Sequence, residues 1–589
     1  MKISRTKLAF AAVLLTGTAT AVYAQQDSPE SILPPGFDNP APAPAPAPRP
    51  APAPAPSIPS DSSTSAPVGD AMTNTAAIED QPTAPVDLSK YELPEQARHG
   101  LGRIGISVLG NPAFPANAFG ASNGKYLATM MRRIDAPIAS RWVSIALRRA
   151  LQSRINTPKS YDGADFAAER AWLLLRMGES IAARGVVQDV DVENYTPLMF
   201  EVAMQSALAS ADPGALCGIA EPGSKRLPER GWAFAKAMCA GLAGDPSRAG
   251  QLFDQAAGGR QNIDTLVAEK VMGAGAQGRR AVTIEWDGVT TLTAWRWGLA
   301  TATGVEVPAE LYRSAGPQVT SWLALAPGPS SAARANAAEL AATQGVFSEQ
   351  GLVELYGEIE TEDGADSAAV AVARDLRTAH TGANMADRIA ALQRLWNNTE
   401  SQRLRYARLV LTGRASASIP VSSDRSGEAD QLIASMLSAG LDSQAMAWRP
   451  VVKRGSDGWA MLALADPAAN AVVSSADFES YRGSADRRKA QLAFAGLAGM
   501  GRLANGDVIT LAGTLGVDVR GENAWTRAID AAGRRGESGT VILLAAAGLQ
   551  ARGWAPVSPE ALYHIISAMR AAGLGNYARM VAVEAITRV

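Results

Sequence analysis

The sequence predicts an all-α protein, an α-solenoid of stacked helical hairpins preceded by a disordered Pro/Ala-rich linker. Three observations carry this. Aromatic residues make up only 6% of the chain, while Ala, Leu and Arg, all strong helix formers, are abundant. From about Tyr91 onward, apolar residues recur at three- and four-residue steps, the period of a helix with one buried face. The segments so defined are joined by short turns built on Gly, Asp and Pro, which force consecutive helices to lie antiparallel.

The first 24 residues read as a secretion signal. Lys2, Arg5 and Lys7 precede the short apolar run Leu8–Leu15, and Val22-Tyr23-Ala24 suits signal peptidase, placing cleavage after Ala24. Retention as a membrane anchor is the alternative, but the apolar run falls short of the roughly 20 residues a span needs. No cysteine follows the site, so no lipid is attached there, and no later stretch suits a transmembrane span.

Residues 25–90 form a linker of different composition. Pro40–Pro56 alternates Pro and Ala with Arg49 as its one interruption, a pattern that favours a polyproline II rod. At about 3.1 Å per residue its 17 residues reach roughly 50 Å. Either it lifts the folded body away from a surface, or it is a plain disordered leader.

Residues 91–589 form the helical body, with a break into two lobes expected near 277–290. Helices are expected at Ser140–Ser153, Asp165–Met177, Thr196–Ala211, Pro228–Leu242, Ser247–Ala257, Asp264–Gly273 and Thr291–Thr301. They continue through Ser330–Thr343, Gln350–Ile359, Ser367–His380, Met385–Asn397, Gln402–Leu411, Ala429–Ser438, Ser443–Val452 and Gly458–Leu464. The last are Arg487–Gly499, Ala524–Ala532, Val541–Gln550, Pro559–Ala572 and Tyr577–Thr587. Only Ala281–Trp286 offers a strand, and one strand makes no sheet.

The stretch Trp232–Ala257 shows the repeating unit most clearly. Gly244 suits the left-handed end of one helix, Asp245 the cap of the next, and Pro246 its first position, where a missing N–H costs nothing. Comparable turns stand at Gly440 and at Gly573–Asn576. Within this stretch Ala237, Gly244, Ala249, Phe253 and Ala256 have the spacing of signature positions in a tetratricopeptide (TPR) repeat, which this unit resembles. Lys236 departs from the pattern, and the Gly turns share no common period. The resemblance therefore implies a degenerate TPR-like array that serves as a scaffold or peptide-binding surface, with no chemistry attached.

Cys217 and Cys239, the only cysteines, lie 22 residues apart on elements expected to be neighbours, and in an exported chain a disulfide is the natural pairing. Two buried free thiols are the alternative. No histidine lies close enough in sequence to complete a metal site with them.

Other chemistry finds little support. The body beyond residue 90 carries 50 basic and 49 acidic residues and no basic tract, which excludes nucleic acid as a partner. His99, His380 and His564 share no motif, and no acid or nucleophile is expected to pair with His564. Ser122-Asn123-Gly124-Lys125 matches an S-x-x-K pattern without its companion motifs. Gly120–Tyr126 is too short for a phosphate loop, and Glu179-Ser180 resembles the Glu-Ser of lytic transglycosylases without the rest of that domain. Trp295 and Trp297, two apart, suggest that one is an exposed anchor, whereas the other tryptophans fill helix seams.

The sequence thus predicts a periplasmic, non-enzymatic scaffold that binds envelope proteins or peptides, without catalytic, cofactor or metal residues. The alternatives are a peptidoglycan-acting hydrolase with an unrecognised site and a purely structural spacer.

Overall fold

The computed structural model describes residues 94–106, 113–135, 137–275, 282–364, 367–399, 401–468 and 470–589. The expected signal and Pro/Ala linker lie outside them. The described residues are mostly helical, and their sole ladder is a two-residue antiparallel pair, Arg103–Ile104 with Ile155–Asn156. Among the described residues the longest helix, Ser367–Thr381, has 15 residues. No described helix is long and apolar enough to cross a membrane.

Short polar side chains start many of these helices. Asp162, Thr196, Asp245, Ser330 and Ser558 each accept a backbone N–H of the first turn, and Pro197, Pro246 and Pro559 occupy first positions. Between helices Arg230–Leu242 and Pro246–Ala257, Gly244 takes φ +82°, a backbone state that a side chain would strain. Gly440 does the same at φ +85° after helix Ala429–Ala439.

Helices pack first on their sequence neighbours. Arg230–Leu242 lies against Pro246–Ala257 and Ile263–Gly275, and the run from Pro317–Leu325 through Met385–Asn397 stacks pair by pair. The C-terminal helices add contacts of another kind. Gly575–Thr587 packs on Arg141–Gln152, Ala429–Ala439, Asp457–Ala465 and Arg487–Gly499. Helix Ser538–Gly548 also packs on Arg141–Gln152. These long-range pairings exceed the nearest-neighbour stacking of a simple repeat array.

Three sequence expectations are corrected. Residues 282–286 run as irregular chain rather than strand, with Trp286 Nε1 donating to the Glu306 carbonyl at 3.1 Å. The expected Ser443–Val452 helix stops at Met446 and continues as turns, because Pro450 has no N–H and disfavours helical backbone before it. Trp295 and Trp297 are both fully buried in helix Ala294–Ala302. That helix packs between Pro197–Ala209 and Ile263–Gly275, so positions about 200° apart on its circumference both find cover. Trp295 Nε1 donates to the Asp264 carbonyl at 2.9 Å, and the Trp297 ring lies 5.6 Å from Trp322.

Candidate functional site

Helix Ser331–Ala342 (SAARANAAELAA) borders two cavities. Its alanines favour helix at no side-chain entropy cost, and Ser330 caps it by accepting the Ala333 N–H at 3.3 Å. Side chains this short leave hollows beside the helix. One cavity of about 700 Å³ is lined by Val305, Val307, Tyr312, Leu323 and Leu340 among others. A second of about 420 Å³ is lined by Glu339, Tyr356, Asp375, Arg394 and Arg408 among others. Asn336 lines both.

The first cavity has one charged residue, Glu306, in its lining. At its edge the Trp297 Nε1–H donates to Tyr312 Oη at 3.3 Å, and burial raises the phenol's pKa, so it stays neutral.

The second cavity has four charged residues in its lining, two carboxylates and two arginines. Tyr356 Oη donates to Glu339 Oε1, and Arg408 Nε lies 2.8 Å from the same oxygen, with its guanidinium 5.8 Å from the Tyr356 ring centre. Both partners converge on Oε1 of Glu339, which lines the cavity. Arg394 binds Asp375 in the same one-sided way, through Nε at 3.0 Å and Nη2 at 2.6 Å, both to Oδ1. Burial raises the pKa of Glu339 despite Arg408, and burial with the neighbouring Glu339 charge pushes the Tyr356 phenol up strongly.

These residues come from several helices spread over the 73 positions from Asn336 to Arg408, so no local motif marks them. The one sequence hint is Asn336, a side-chain amide inside an alanine run.

The residues singled out by the sequence stand elsewhere. Cys217 and Cys239 are at bonding distance, with Cα atoms 5.3 Å apart, and Cys217 is exposed. Ala237, Ala249, Phe253 and Ala256 are buried, and the Phe253 ring lies 5.5 Å from Phe234 across the hairpin closed by Gly244. Asn123 accepts the Lys125 N–H at 2.9 Å, so Ser122–Lys125 forms a helix start. Gly120 packs against the Glu537 carboxylate, which would repel a phosphate. Glu179 is buried with its pKa raised by desolvation, pairs with Arg148 at 3.0 Å, and lines neither cavity.

His564 requires a correction. An acid does face it: Asp530, from helix Ala524–Arg534, lies 3.0 Å from Nδ1. The two helices bring them together across 34 residues, a distance no local motif spans. The other ring nitrogen, Nε2, is buried and has no hydrogen-bond partner among the described residues. Among the described residues no group of three or more His, Cys, Asp or Glu is placed to hold a metal ion.

The fold and cavities define a largely helical protein with a two-part hollow beside one helix. Comparison with protein families, with curated proteins and with solved structures finds no match to this chain.

Proposed function

We propose that the protein is an exported, non-enzymatic scaffold, a degenerate TPR-like α-solenoid that holds an extended peptide segment of an envelope protein beside helix Ser331–Ala342. The observation that carries this reading is Asn336, shared by two cavities, one lined by a single charged residue and the other by four. A side-chain amide offers a donor and an acceptor, the pair that each residue of an extended peptide backbone presents. Flanking hollows would accept side chains on either side of that contact, and helical walls pre-organise the site. The signal-like N-terminus and the linker support export and a body held clear of its surroundings.

Placing a photo-reactive benzoylphenylalanine at Asn336 tests the reading. Irradiation in living cells should give one recurrent protein adduct, absent when the probe stands at Thr510, on an exposed face elsewhere. Equal adducts at both positions, or none at either, would overturn it.

A peptidoglycan-acting hydrolase is the second reading, favoured by Glu339, a buried carboxyl with raised pKa that lines a cavity with Asp375. Incubation of the purified protein with peptidoglycan separates the two: the scaffold releases no soluble fragments.

A further inference from the structure

The two ends of the Cys217–Cys239 bond meet solvent unequally. Cys217 is exposed, in the connection between helices Pro197–Ala209 and Arg230–Leu242. Gly218 beside it is exposed too, and a Cβ built there would meet nothing within 4 Å. Cys239 is half-buried on helix Arg230–Leu242 and packs against the core. A thiolate opens a disulfide by attacking one of its sulfurs, and access decides which sulfur that is. Here the open side is that of Cys217. The connection is also held by more than the bond. Leu216 and Ala220, on either side of Cys217, are buried. Glu221 Oε2 lies 2.9 Å from Lys236 Nζ, on the helix that carries Cys239. Gly223 sits so close to Trp232 that an added Cβ would come within 2.6 Å of ring atom Cε3. These contacts bracket Cys217 and keep it beside Cys239 when the bond is open.

We propose that this disulfide is a reversible thiol-exchange site, entered at Cys217 by a small thiol. The attacking thiolate forms a new S–S bond to Cys217 Sγ. The Cys217–Cys239 bond breaks, and its electron pair leaves on Cys239 Sγ, which takes a proton from water. A second equivalent attacks the small-thiol sulfur of the mixed disulfide, releasing Cys217 as a thiol and the two small thiols as their own disulfide. The protein thereby gains two electrons and two protons. While only the mixed disulfide has formed, the Cys239 thiolate, still beside Cys217, can attack its sulfur, expel the small thiol and restore the bond. The site lies apart from the cavities beside helix Ser331–Ala342 and does not depend on what they bind.

The test incubates the native, oxidised full chain with excess reduced glutathione, quenches with iodoacetamide and digests the product. Mass measurement of the peptide carrying each cysteine then shows where glutathione stands. It should stand on Cys217, with the alkyl group on Cys239, and the reverse product should be about tenfold rarer or more. Exchange should proceed without denaturant and leave the far-ultraviolet circular dichroism unchanged, and removal of glutathione should restore the bond. Equal amounts of the two adducts would overturn entry at Cys217. Exchange only after urea is added would make the bond a closed structural staple and overturn the site. Loss of the helical signal on exchange would overturn its reversibility.

Discussion

The Glu584 carboxylate caps a helix 443 residues away: its Oε1 accepts the Arg141 backbone N–H at 2.8 Å. Its Oε2 accepts the Ser140 hydroxyl at 2.6 Å, at the start of helix Arg141–Gln152. A carboxylate there meets unsatisfied N–H groups and the positive end of the helix dipole. Arg588 completes the clasp, 2.7 Å from Glu584 Oε1, donating to the Ala139 carbonyl at 2.8 Å, with its guanidinium 4.3 Å from the Tyr406 ring centre.

Glu584→Ala should therefore be severe. It strands a buried guanidinium, and removing one member of such a pair costs roughly 3–5 kcal/mol. Glu584→Gln, which keeps an acceptor for the helix start, should lose less. Urea unfolding followed by circular dichroism checks this, and a loss under about 1 kcal/mol for the alanine variant would refute the clasp.

Two glycines with the same backbone state should respond differently to alanine. At Gly244 a Cβ meets nothing within 4 Å, so Gly244→Ala should cost only the left-handed strain, about 1–2 kcal/mol. At Gly440 the added Cβ would lie 2.9 Å from Trp142 Cη2, so Gly440→Ala should cost clearly more. Equal unfolding midpoints for the two variants would contradict this.

Burial of both Trp295 and Trp297 predicts that neither is an exposed anchor. Each Trp→Ala change should destabilise by about 3–5 kcal/mol, as for other large core truncations. In single-tryptophan variants their emission should be blue-shifted and resist acrylamide quenching. Free quenching of either one would place it at the surface.

Mass measurement after alkylation checks the Cys217–Cys239 bond. Protein unfolded without reductant should gain no alkyl group, and reduced protein should gain two. Closing a loop of this length stabilises by about 3 kcal/mol in the chain-entropy account, so Cys239→Ser should lower the unfolding midpoint accordingly.

Glu339 should leave a signature in the pH dependence of stability. Its folded-state pKa is raised above the unfolded value of about 4.3, so the folded chain holds this proton more tightly. The resulting stability is fully present below the unfolded value and is lost as pH rises through the folded one. Relative to Glu339→Gln, the native chain should lose Tm as pH climbs from about 4 toward neutrality. A Tm difference that is constant over that range would contradict the raised pKa.

Legibility in the sequence followed the range of the interactions. Hairpins such as that closed by Gly244, Asp245 and Pro246 could be read because caps and turns act within a few residues. Helices Ser180–Gln188, Pro317–Leu325 and Asn505–Leu515, 9, 9 and 11 residues long, escaped although Pro317 stands at a first position and Gly516 takes φ +68° at the end of the last. None of the cavity residues from Asn336 to Arg408 stood out, for their meaning depends on which helices meet.

What the chain determined by itself was its helical class, the turns between neighbouring helices and the approach of Cys217 to Cys239. All three rest on caps, backbone states and contacts between adjacent elements. Tertiary structure alone decided that Trp295 and Trp297 are both covered, that Asp530 faces His564, and that Glu584 caps the helix at Arg141. A helical period tells which face is apolar. It does not tell which distant surface will cover that face, because burial is a property of the packed assembly and not of any one segment.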